Sequence, residues 1–114
     1  MTWVIREKGD TTSFSFLEKG KIITRIWCSN TGKPFAVYVS NIGTASKTGY
    51  SGVFIKSGFQ EKAKKIPEIG WIAENSEMLG FINFANRIRN SLKSLGLWGE
   101  WQSLKQEDVG LWVR

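Results

Sequence analysis

Lys19, Lys21, Arg25, Lys33, Lys47 and Lys56 stand in a stretch, residues 19–60, that contains no Asp or Glu. The formal net charge of the 114-residue chain is +6, so this stretch accounts for all of it; the remaining residues balance ten cations against ten acids. Interleaved with the cations are Trp27, Tyr38, Tyr50 and Phe54. Flat rings alternating with positive side chains suit a single-stranded nucleic acid: each base stacks for roughly 1–3 kcal/mol while Lys and Arg hold phosphates. The residues assigned to stacking are therefore Trp27, Tyr38, Tyr50 and Phe54, and those assigned to phosphate are Lys21, Arg25, Lys33, Lys47 and Lys56. Lysines on strand edges also deter aggregation, and a basic balance keeps a protein soluble, but neither accounts for a complete lack of acids over this length.

Other chemistries find little support. The chain has no His, so a His-centred triad, a His general base and a His-ligated metal are excluded. One cysteine, Cys28, makes neither an internal disulfide nor a zinc site, and it reads as a small buried hydrophobe in a reducing compartment. "TGKP" at 31–34 has Pro34 where a phosphate-binding loop needs Ser or Thr, so it reads as a hairpin turn. "KAKK" at 62–65 reads as a solvated helix face that would add phosphate contacts at the rim of the same surface. No catalytic residue, metal or cofactor is expected, and the chain is not read as an enzyme. The start of the chain lacks the apolar segment of a signal peptide, and no apolar run approaches the roughly 18 residues of a membrane span. A soluble, cytoplasmic protein is the expectation.

These side chains need elements to position them. Period-two patterning and glycine-marked turns predict strands over 2–7, 12–17, 21–29, 35–40 and 50–56. In 12–17, Phe14 and Phe16 alternate with Ser13 and Ser15. A short helix is predicted over 59–65, stopping before Pro67, followed by a connector through Gly70 and Trp71. Over 77–95, Met78, Phe81, Ile82, Ala85, Ile88, Leu92 and Leu95 recur at three and four, which predicts a long amphipathic helix ending at Gly96. The tail holds Trp98, Trp101 and Trp112 and is expected to dock.

The fold class expected is α+β: a single domain over 1–114, strand-rich over 1–56, helical over 59–95, with a docking Trp-rich arm over 96–114. A twisted antiparallel sheet of four to five strands would pack one face on the long helix. Splitting each strand by alternation puts Ile22, Thr24, Ile26, Cys28, Phe35, Val37, Val39, Val53 and Ile55 beneath the helix. The opposite set carries Lys21, Ile23, Arg25, Trp27, Tyr38, Tyr50, Phe54 and Lys56, with Gly52 allowing close approach. A slip of one residue exchanges the two sets.

Strands followed by a long amphipathic helix make an order similar to that of Whirly-like and related single-stranded DNA-binding folds, over roughly residues 1–95. The function expected is non-enzymatic binding of single-stranded DNA or RNA. The alternative is a small protein-interaction or regulatory module, of the kind phages and mobile elements encode, acting through a dimer or a host protein. The partners expected are single-stranded nucleic acid, with a homodimer or a protein partner as further candidates, and no membrane. The rings equally suit a dimer interface or a surface covered by the tail.

Overall fold

Short turns dictate the topology. The β2–β3 turn has Lys19 at φ 53° and Gly20 at φ 76°, and the β1–β2 turn opens with Gly9 at φ 61°. Two-residue turns with positive φ match the twist of antiparallel strands, so successive strands pair. The result is one open sheet in chain order: β1 (Thr2–Lys8), β2 (Thr11–Glu18), β3 (Lys21–Ser29), β4 (Pro34–Val39) and β5 (Gly52–Ile55). The computed structural model describes residues 2–40, 52–56, 58–74 and 81–100. Three helices follow, α1 (Gln60–Lys64), α2 (Pro67–Glu74) and α3 (Phe81–Ser94), and then a single 3-10 turn, Trp98–Glu100. The described part of the arm ends there, so the docking expected of residues beyond Glu100 lies outside the described residues.

Of the helix expected over 77–95, residues 81–94 form α3, with Ile88 and Leu92 buried and Arg89, Asn90 and Lys93 exposed, while 77–80 lie outside the described residues. It stops where expected. Gly96 adopts φ 73°, its N–H donates to the Lys93 carbonyl, and the Leu97 N–H donates back to the Leu92 carbonyl at 2.9 Å. That pair of bonds closes the last turn and needs a left-handed residue, which glycine supplies. The predicted connector is a helix: Pro67 opens α2, where its missing N–H costs nothing, and Glu68 favours the first turn.

The sheet is covered on both faces rather than one. On the α3 side, Ile26, Cys28, Val37, Val39 and Phe54 are buried with Ile88 and Leu92, and Trp3 and Phe14 pack against them. On the other side, Trp27, Phe35, Ala36, Val53 and Ile55 are buried with Ala63 of α1 and Ile69 of α2. Every residue of β5 is buried, and in β4 only Tyr38 is partly open. A strand covered on both faces is apolar throughout, so "FAVYV" and "GVFI" carry no readable inside and outside.

Register decides the faces. Val37 pairs with Phe54 and Tyr38 with Val53, which sends Phe54 to the α3 side and Val53 and Ile55 to the α1–α2 side. This exchanges the β5 sets expected from alternation. Two irregularities shift the rest. Between Trp27 and Cys28 the partner jumps from Ala36 to Pro34, so Phe35 joins Ala36 on the α1–α2 side. Between Phe16 and Leu17 the partner jumps from Thr24 to Ile22, so Ile22 and Ile23 leave their expected sides.

Truncating Phe54 to Ala is expected to lower stability by about 3–5 kcal/mol, because it opens a cavity between α3 and the sheet. Ile5, 61% exposed on β1, is the control, and its replacement by Ala is expected to change stability by about 0.5 kcal/mol or less. Denaturant titration of the two variants checks both outcomes.

Candidate functional site

The four rings assigned to stacking do not share an open face. Trp27 is 1% exposed beneath α1–α2, and Phe54 is fully buried beneath α3 on the opposite face. Tyr38 is half-buried against the α1–α2 layer, and burial holds its phenol above the ordinary value. Tyr50 and Lys47 lie outside the described residues. The cause is the α1–α2 layer, which occupies the face reserved for a ligand, together with the β5 register. Among the assigned cations, Lys21, the first residue of β3, and Lys33, in the β3–β4 connection, are exposed at opposite ends of β3, and neither lines a cleft with Arg25. Lys56 is partly buried after β5, its N–H donating to the Phe35 carbonyl at 2.9 Å.

What stays open is the part of the sheet that α1 and α2 do not reach. Their apolar contacts fall on β3, β4 and β5, and β1 and β2 contribute nothing to that cluster. The uncovered half forms a trough of ≈ 670 Å³ between the β1–β2 hairpin and the α1–α2 corner. Period-two alternation places its residues. Trp3 and Ile5 pair with Phe16 and Phe14 toward the α3 side, and Arg6 and Lys8 pair with Ser13 and Thr11 along the trough. Trp27 and Arg25 of β3 contribute from the floor, and Lys62, Lys65 and Glu68 from the helices.

Two ion pairs frame it. Arg25 donates through Nε to Ser15 Oγ at 2.7 Å and through Nη1 to the Glu68 carboxylate, with its guanidinium 6.0 Å from the Trp27 ring centroid. Lys62 reaches from α1 to Asp10 in the β1–β2 turn at 3.1 Å, and its ammonium lies 5.2 Å from the Phe35 ring centroid. The hydrogen bond and charge of Lys62 lower the Asp10 pKa. The contribution of that pair is therefore present at neutral pH and is lost as pH falls through the lowered value. Arg6, Lys8 and Lys65 have no ion-pair partner among the described residues. The Trp27 indole N–H is buried without a hydrogen-bond partner, a state that costs about 1–3 kcal/mol when nothing compensates.

A second cleft of ≈ 490 Å³ continues the trough. It is lined by Ile22, Tyr38, Trp71 and Ile72, and it shares Arg25, Pro67 and Glu68 with the first. Trp71 on α2 is 67% exposed. Arg6, Lys8 and Trp71 are the residues that sequence reasoning missed. The alternation in "TWVIREK" already puts Arg6 and Lys8 on one side, whereas Trp71 became visible only once the connector proved helical.

The single thiol is withdrawn from solvent. Burial pushes the Cys28 thiol up to about 11, so it is protonated at neutral pH. No group of three or more His, Cys, Asp or Glu is placed to hold a metal ion among the described residues. No helix among them is long and apolar enough to cross a membrane. No protein family, no curated protein and no solved structure matches the chain.

The folded protein is expected to leave Cys28 unreacted with an aromatic disulfide reagent at pH 8, while one thiol per chain reacts in denaturant. Rapid labelling of the native protein would show that the β3 core opens readily.

Proposed function

We propose that the protein binds single-stranded nucleic acid without catalysing a reaction, the strand lying along the joined clefts rather than across an open sheet. A base stacks on Trp71 beside Tyr38, and phosphates follow Arg25 toward Arg6, Lys8 and Lys65. The observation that supports this most is a pair of adjoining clefts with an exposed indole in the apolar one and, in the other, three cations, Arg6, Lys8 and Lys65, without an ion pair among the described residues. Stacking on an aromatic ring tolerates any base, and the charges supply affinity that falls with salt. The stacking role passes from Trp27 and Phe54 to Trp71, and the phosphate role passes to Arg6, Lys8 and Lys65, with Arg25, already held by Glu68, on the floor between them.

A protein partner is the second reading, favoured by the apolar character of the cleft around Trp71, with Tyr38 and Arg25 at its side. Trp, Tyr and Arg dominate binding energy at protein interfaces.

Titration with a single-stranded oligonucleotide is expected to quench tryptophan fluorescence. Trp71→Ala is expected to weaken binding by about 5- to 150-fold, the equivalent of one lost stack. Arg6→Ala and Lys65→Ala are each expected to reduce the steepness of the salt dependence by about 0.7 in log–log slope. Equal affinity for a duplex would overturn the stacking role. Absence of any quench and of any salt response, with a partner protein retained at moderate salt, would favour the second reading.

A further inference from the structure

The trough and the Trp71 cleft run along the strands, from the β1–β2 turn at one end to the Ile22–Tyr38 region at the other. From Thr11 to Leu17, the partner of Ile22, this path is about 20 Å at the rise of an antiparallel strand. Its two ends differ. At the Trp71 end an apolar cleft opens beside an exposed ring. At the hairpin end the Asp10–Lys62 pair joins the β1–β2 turn to α1 across the trough.

A strand entering past Trp71 meets that crossing. To continue, its backbone would have to separate Lys62 from Asp10 and run a phosphate against the Asp10 carboxylate. A strand that ends inside the trough avoids both costs. The charges favour such an ending. Arg6, Lys8, Arg25, Lys62 and Lys65 line the trough against Glu7, Asp10 and Glu68, which leaves two positive charges uncompensated. An internal phosphodiester brings one negative charge. A terminal phosphomonoester brings about −1.5 to −2 at neutral pH and three strong acceptor oxygens. The Ser13 hydroxyl and the guanidinium of Arg6 are donors suited to those oxygens, whereas the Thr11 hydroxyl donates to Asp10 Oδ1 at 3.3 Å.

We propose that the trough is a pocket for the phosphorylated end of a single strand, held by Arg6, Lys8 and Lys65 and stopped by the Asp10–Lys62 crossing. This rests on the nucleic-acid reading and narrows it from passing strands to strand ends. The shared ligand chemistry is a terminal phosphomonoester, which a strand carries at its 5′ or its 3′ end.

The test compares one oligonucleotide sequence in four forms: 5′-phosphorylated, 3′-phosphorylated, unphosphorylated and closed into a circle. One phosphorylated form is expected to bind at least tenfold more tightly than the unphosphorylated strand, and which one does so identifies the end. The circle is expected to bind no better than the unphosphorylated strand. Arg6→Ala is expected to abolish the preference for the phosphorylated strand while the thermal unfolding midpoint stays unchanged, since Arg6 is exposed. Asp10→Ala is expected to improve binding of the circle by removing the crossing. Equal binding of all four forms would overturn the end-binding proposal and leave nucleic-acid binding standing. Failure of every form to bind would overturn both.

Discussion

The pairing of Val37 with Phe54 across β4 and β5 governs the rest of the molecule. With that register, Phe54 faces α3, and Val53 and Ile55 face the opposite way. Both faces of the sheet's second half are then strongly apolar, and both must be covered. Each fully buried aliphatic or aromatic side chain is worth roughly 1.5–3 kcal/mol, against a net of roughly 0.5–1.5 kcal/mol for a typical neutral hydrogen bond. The need for two covers draws α1 and α2 to one side and α3 to the other, giving a helix–sheet–helix arrangement within one domain.

The open ground follows from the reach of those covers. A helix with its side chains is about 10–12 Å across, while strands lie about 4.8 Å apart, so one helical layer spans two or three strands. The α1–α2 layer is committed to β3, β4 and β5. The same side of β1 and β2 is therefore left bare. It is polar because it can be, and the serines and threonines of β2 and the charged end of β1 stand where no apolar partner arrives. The trough is the part of the sheet that the register did not require to be covered.

The charges within it fall into two kinds. Arg25 is held from three sides, by Ser15, Glu68 and the Trp27 ring, and its side chain is largely withdrawn from solvent. Such a cation serves the architecture first, tying the floor strand to α2. The Asp10–Lys62 pair is solvent-exposed, and solvent and salt screen pairs of that kind. It orients the hairpin tip against α1 more than it stabilises the fold. Arg6, Lys8 and Lys65 have no ion-pair partner among the described residues, and that separates the unpaired charge of the trough from its framework.

Residue order alone determined the strands, the two-residue turns, the stop at Gly96 and the helical period of residues 81–94. Each depends on local chemistry: alternation, positive φ at glycine, and apolar spacing at three and four. Arg25 and Tyr38, two of the residues assigned to a site from their types and spacing, both line the second cleft. Tertiary structure decided which face each side chain took. β4 and β5 are apolar on both sides, so their alternation is silent, and one residue of register together with the irregularities at Trp27–Cys28 and Phe16–Leu17 reassigned Phe54, Phe35, Ile22 and Ile23. The helix through Trp71 was hidden for a related reason, because Gly70 weakens local propensity and the packing of Ile66, Ile69 and Ile72 into the cluster on that face of the sheet supports the helix. Local rules act over a few residues, whereas the choice of face depends on which strand lies alongside, and that is settled only when the whole sheet has assembled.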